Sequence, residues 1–208
     1  MRRTIPALVA LVAAACQTGP GDRKRLNEIA GVYKKGDVKA AVAQLEPYVR
    51  EHPKDDLAWT ILGNAYEDED RDGQAQQAYD TALNLNPKRA EAYVGQGVLY
   101  RKQKRYPDAE AAYRKALEID PRNAHAYSSL TTIALKSRAL GKALEYAKKG
   151  HELDAEDPVI AANLAVAYHY NNDAAERDRM TGVAERLGYR DVPRLKQIYA
   201  GEITIFDE

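Results

Sequence analysis

Residues 66–87 read "YEDEDRDGQAQQAYDTALNLNP", and 34 residues later the chain reads "YRKQKRYPDAEAAYRKALEIDP". Tyrosines, alanines and the closing proline keep their places, while the acids after the first tyrosine are replaced by bases. The same offset divides the chain without a gap into frames 22–55, 56–89, 90–123, 124–157 and 158–191. A unit this short cannot bury an apolar face alone, so copies of it must stack on one another.

Each frame carries the marks of two helices. Trp59, Leu62, Gly63 and Tyr66 recur at three and four spacing, which makes one sticky face on the first helix. Ala41, Ala75, Ala109 and Ala143 hold one frame position, and Ala82, Ala116, Gly150 and Ala184 another, where close helix packing demands small side chains. Large rings fill three further slots: Trp59, Tyr93 and Tyr127; Tyr66, Tyr100 and Tyr168; Tyr79 and Tyr113. Those slots explain why the chain has 14 tyrosines beside one phenylalanine and one tryptophan. Pro53, Pro87 and Pro121 close their frames and should stop the second helix.

Frame 56–89 resembles the tetratricopeptide repeat, with Trp59, Leu62, Gly63, Tyr66, Ala75, Tyr79, Ala82 and Pro87 on all eight of its signature positions. The resemblance implies an all-α chain, a right-handed solenoid of about five helix hairpins with a C-terminal capping helix. Departures fall at the ends. Arg25 stands in the first ring slot of frame 22–55, and Arg177 and Thr181 replace an alanine and a ring in frame 158–191. End repeats lack a neighbour on one side, so lost packing residues are expected there.

In this family ligands touch the first helices along the concave side, which implies a protein or peptide partner there. The positions that carry over include Asn64, Glu67, Val94, Val98, Arg101, Ser128, Thr132, Val166 and Tyr170. The trough they outline has a small, apolar floor and a charged rim, suited to an extended segment or an amphipathic helix. Packing against neighbouring helices or the chain's own tail is the competing use of these residues. Asn64 matches one slot of the carboxylate clamp of chaperone-binding members, but Glu91 and Gly95 stand where its lysine and arginine are needed, so that site is excluded. Glu67 to Asp70 and Arg101 to Lys104 occupy equivalent turns; either they form a solvated edge or they orient a charged partner.

The start of the chain, "MRRTIPALVALVAAAC", has Arg2 and Arg3, an apolar run from Ile5 to Ala15 and the single cysteine, Cys16. That is the layout of a secretory signal. As a helix the run reaches roughly 16 Å, about half a bilayer's hydrocarbon core, so it makes a poor span. Ala13, Ala14 and Ala15 before Cys16 resemble the lipobox of bacterial lipoproteins, though Ala13 departs from the commoner leucine. The resemblance implies cleavage before Cys16, lipid on its sulfur and, with Gln17 following, an outer-membrane anchor facing the periplasm in a Gram-negative source. Cleavage after Ala15 into a freely secreted or periplasmic peptide-binding protein stays open. The chain thus divides into a signal at 1–15, a lipidated linker at 16–21, five repeats at 22–191 and a cap and tail at 192–208. Its architecture is similar to that of tetratricopeptide lipoproteins of the outer membrane, among them the pilotins of type IV pilus secretins and adaptors that gather envelope enzymes.

Near the end, Pro193 can open a helix in which Leu195, Ile198 and Tyr199 share a face, and Gly201 can stop it. Beyond lies "EITIFDE", apolar enough to dock on the last repeats or to offer a strand to a partner. Other functions find little support. Thirty-one bases balance thirty-one acids, which points to no nucleic-acid partner. The four histidines fall at different frame positions, and no glycine-rich phosphate loop or catalytic triad spacing is present. The reading is therefore a binding protein without enzyme activity, metal or cofactor.

Overall fold

A computed structural model of the chain describes residues 19–205. The expectations for the leader, for Cys16 and for Phe206 fall outside the described residues. Among those described, the chain forms helices α1 (Pro20–Lys34), α2 (Val38–Glu51), α3 (Asp56–Asp68), α4 (Asp72–Leu85), α5 (Ala90–Lys102), α6 (Tyr106–Ile119), α7 (Ala124–Lys136), α8 (Leu140–Leu153), α9 (Pro158–Tyr170), α10 (Ala174–Arg186) and α11 (Val192–Ala200), and no strand. The all-α class expected from the repeat is what the chain adopts. From α3 onward every first helix, α11 included, begins 34 residues after the previous one, and the second helices α2 to α10 keep the same interval.

The turn inside each hairpin explains how the frame survives a change of charge. Gly36, Asp70, Lys104, Arg138 and Asn172, each 34 residues from the next, all have φ between 56° and 86°, in the left-handed region. The amide of the following residue then reaches back five residues: Arg71 to the Tyr66 carbonyl, Arg105 to Tyr100, Ala139 to Ala134 and Asp173 to Tyr168. Only Gly36 takes that conformation freely; elsewhere it costs roughly 1–2 kcal/mol, which the surrounding helix packing must offset. Side-chain charge plays no part in this geometry. Asp55, Asn123, Asp157 and Asp191 recur at multiples of the period as N-caps, their carboxylate or amide oxygens accepting from amides of the first turn.

The second helices stop before the three prolines as expected, and also where no proline follows. α2, α4 and α6 do end two residues before Pro53, Pro87 and Pro121, but α8 ends at the equivalent Leu153 with Ala155 in the proline slot. Proline reinforces a stop that the hairpin already imposes.

The described residues form two compact units, which divide between Gly95 and Gln96 within α5. In the first, α2 packs on α1 and α3, and α3 on α4. Its centre is Tyr79, whose ring is pressed so closely on two glycines that a Cβ at Gly63 would lie 2.6 Å from it and one at Gly95 2.3 Å. In the second unit α7 packs on α6, α8 and α9, while α9 packs on α8, α10 and α11. There Tyr113 presses on Gly97 in the same way, a Cβ at Gly97 falling 2.6 Å from its ring. Ring and glycine are thus matched pairs, which the period alone aligns but does not explain.

Candidate protein-binding faces of the first helices

The residues read as partner-binding fall in both units. In the first, Asn64 is half-buried and its Oδ1 accepts the Tyr79 hydroxyl at 2.7 Å. That amide is a polar anchor for the central ring, and its NH2 donors and second oxygen lone pair are what can serve a ligand. Glu67 and Val94 are half-buried. The acids around Glu67 are partly engaged: Asp68 accepts from the Tyr33 hydroxyl, and Arg71 pairs with Glu46 at 3.2 Å and Glu69 at 3.0 Å. Arg71 also lies over the Tyr66 ring at 4.2 Å, and Arg105 lies over Tyr100 at 4.4 Å in the second unit. One cation per turn stacked on one ring is a feature common to the acidic and basic turns. Burial, then the Glu46 hydrogen bond, pushes the Tyr66 hydroxyl up to about 12.

In the second unit Val98, Arg101, Thr132 and Tyr170 are half-buried, whereas Ser128 and Val166 are only 8% and 6% exposed. The Ser128 hydroxyl accepts from Asn163 of the neighbouring first helix at 2.7 Å, and Thr132 Oγ1 donates to the Ser128 carbonyl at 3.4 Å. Thr132 and Val166 are brought together, since both line a recess of about 160 Å³ whose far wall is Leu195 and Ile198 of α11 with Ile205. Ile205 packs against the apolar cluster that includes Leu135, Ala162 and Val166. The described part of the tail therefore docks on the second unit, the first of the two uses open for it in the sequence.

The cap gives the terminal departures a role that lost packing did not anticipate. Arg177 stacks on the Tyr199 ring at 5.0 Å, and Thr181 Oγ1 lies 3.0 Å from the Tyr199 hydroxyl. Thr181 already donates to the Arg177 carbonyl at 2.8 Å, so Tyr199 is the donor of the pair. His169 adds its ring 5.0 Å from that of Tyr199. Burial, followed by the Arg177 charge, holds His169 below the usual imidazole range, and burial with Arg179 does the same to His151. Gly201 ends α11 at φ 73°, as its position foretold. Asn163, Tyr189 and Arg194, also around the recess, were missed by carrying over family positions because the recess depends on α11.

Among the described residues no group of three or more His, Cys, Asp or Glu side chains is placed to hold a metal, and no helix is long and apolar enough to cross a membrane. What the first helices offer is shape and hydrogen bonding.

The family model of the tetratricopeptide repeat matches residues 57–89 and again residues 90–123. The chain therefore carries tetratricopeptide repeats in that stretch. No curated protein matches it by sequence. Among solved structures, PilW, a widely conserved type IV pilus biogenesis factor, aligns with TM-score 0.73 at 20% identity over 91% of this chain and 90% of its own. PilF of Pseudomonas aeruginosa aligns with TM-score 0.72 at 18% identity over 87% of this chain and 83% of its own. YrrB, a tetratricopeptide protein with an unusual peptide-binding site, gives TM-score 0.57 at 16% identity over 86% of this chain and 91% of its own. At these identities the likeness is one of fold, and the fold is that of tetratricopeptide proteins.

Proposed function

We propose that this protein is a membrane-tethered scaffold that holds a protein partner on the faces of its first helices, in assembly work at the cell envelope. The observation that carries the binding role is the pair of matched tetratricopeptide repeats on a fold built throughout from such hairpins. Val94 and Val98 stay half-buried on α5, within the reach of a ligand, while the alanines and rings of the second helices Ala75, Tyr79, Ala109 and Tyr113 are consumed in packing. Support for the tether is the resemblance of Ala13 to Cys16 to a lipobox; lipid on Cys16 would hold the repeats against the outer membrane on its periplasmic side. A place in type IV pilus secretin assembly is suggested by the likeness in fold to a pilus biogenesis factor.

Two variants test the two halves separately. Cys16→Ser should move the protein from the membrane to the soluble fraction, and mass spectrometry of the mature amino terminus should find lipid on Cys16; an unmodified cysteine at that terminus would refute the tether. Val94→Glu with Val98→Glu should abolish partner capture and leave helicity nearly unchanged. Loss of circular dichroism equal to that caused by Ala75→Asp would show that the valines are core and that the binding face lies elsewhere.

A further inference from the structure

Helix α1 carries Arg23, Lys24, Arg25 and Lys34, with Lys35 at its C-cap, against Asp22 and Glu28, an excess of three positive charges in a chain whose total is zero. Leu26 and Ile29 turn inward, at 0% and 2% exposure, so Lys24, Glu28, Gly31 and Lys35, spaced by three or four residues, share the opposite face. Among the described residues α1 packs only on α2 and α3, and nothing covers that outer face. Arg25 is engaged by Glu51, but Lys24 and Glu28 lie 3.9 Å apart with side chains 81% and 67% exposed, a loose pair that water separates easily. Arg23, Lys34 and Lys35 are exposed as well. Cations near an N-terminus oppose the helix dipole, so Arg23 to Arg25 are not there to stabilise α1. The described chain begins at Gly19, and the three residues from Cys16 to that point reach at most about 11 Å, roughly one helix diameter. Lipid on Cys16 therefore brings the cations of α1 within reach of the headgroups.

We infer that α1 is a membrane-contact helix whose outer face lies on anionic phospholipid, Lys24 and Lys35 meeting the headgroups with Lys34 beside them, while Leu26 and Ile29 face into the first unit. The inference deepens the tether reading and rests on it: lipid on Cys16 supplies the closeness, and the cations supply the orientation. Each Lys or Arg near such a surface favours contact by about fivefold, and the attraction decays within a Debye length of about 8 Å at physiological salt. No large apolar side chain shares the face with Lys24, Gly31 and Lys35, so the contact is peripheral and salt-sensitive rather than inserted. It fixes which side of the first unit is turned to the bilayer.

Protein purified from the envelope and placed in lipid vesicles tests this, with a fluorescent amino acid in place of the exposed Asn27 and a nitroxide on the headgroup of a small share of the lipid. With about a third of the lipid as phosphatidylglycerol and about 50 mM salt, quenching should be at least threefold that in pure phosphatidylcholine, and it should fall to the phosphatidylcholine level at about 500 mM salt. Lys24→Glu with Lys35→Glu should abolish the difference between the lipids and leave the melting curve unchanged. Lys24→Gln with Lys35→Gln, which adds no acid, should reduce it in the same direction and keeps the test decisive if charge reversal disturbs α1. Equal quenching in the two lipids, or quenching that neither variant changes, would overturn the inference. An unquenched probe that responds only to an added acidic protein would overturn it too, and give the face to that partner. Flotation with both kinds of vesicle beside an unquenched probe would refute this contact and leave the tether standing, whereas protein that floats with neither would refute the tether and the contact with it.

Discussion

Tyr79 in the first unit and Tyr199 at the end of the second both set a ring between helices, from opposite sides of the contact. Tyr79 belongs to a second helix, and the first-helix glycines 63 and 95 make room for it. Tyr199 belongs to α11, a first helix, and the second helix α10 makes room with Thr181 where a tyrosine stands in the central frames. Ring and small residue have changed places. Tyr79 is 1% exposed with its hydroxyl on Asn64, whereas Tyr199 is only half-buried and held by a stacked arginine and one hydroxyl. The interior contact is thus closed by shape and the terminal one by polar groups, so the two should respond differently to mutation and to pH.

The largest effect should come from the interior. Tyr79→Ala should destabilise by about 3–5 kcal/mol, the range for removing a buried ring, as measured by denaturant unfolding. Gly95→Val should follow at about 1–3 kcal/mol, because its new Cβ would lie 2.3 Å from the Tyr79 ring. If both changes prove neutral, the ring does not sit where the glycines place it. At the cap, Tyr199→Ala should cost about 1–2 kcal/mol and raise hydrogen exchange in α10 and α11 without touching α3 and α4. Tyr199→Phe should cost only about 0.5–1 kcal/mol, since Thr181 keeps its bond to the Arg177 carbonyl.

Acid should sharpen the contrast. His151 and His169 have folded pKa values held low, so the unfolded chain binds protons first as pH falls below about 6.5. Stability of the second unit is then present above that pH and lost beneath it, and exchange in α8 to α10 should quicken between pH 7 and 5.5. Base acts on both units, since burial also raises the Tyr189 and Tyr199 hydroxyls of the second. The hydroxyls of Tyr48 and Tyr66 are pushed up to about 12, by burial first and then by Asp55 and Glu46 respectively, so their contribution is complete below about pH 10 and is lost on the way to 12. Equal response of the two units to acid would contradict a histidine effect confined to the second.

Much of the fold was legible because a strict period exposes packing slots directly. Positions 56, 90, 124, 158 and 192 open helices in the structure, and the sequence marks most of them with an Asp or Asn cap one residue before. Gly201 announced its own stop. Less visible was the left-handed turn residue, since Asp70, Lys104, Arg138 and Asn172 have nothing in common but their place in the frame. Arg177 and Thr181 looked like decay at a free end, because their partner Tyr199 lies in a segment without a full repeat. The candidate faces were legible only as positions. Whether Asn64 or Ser128 points outward or bonds to a neighbour depends on side-chain partners, Tyr79 and Asn163, that the period does not name.

The proposed binding role requires that the first helices meet the partner. A photoreactive phenylalanine analogue placed at Val98 on α5, and separately at the exposed Arg114 on α6, in full-length protein within the envelope, asks this directly. Binding on the first helices should give one discrete crosslinked protein from Val98 and none from Arg114. The same adduct from Arg114 and none from Val98 would contradict it.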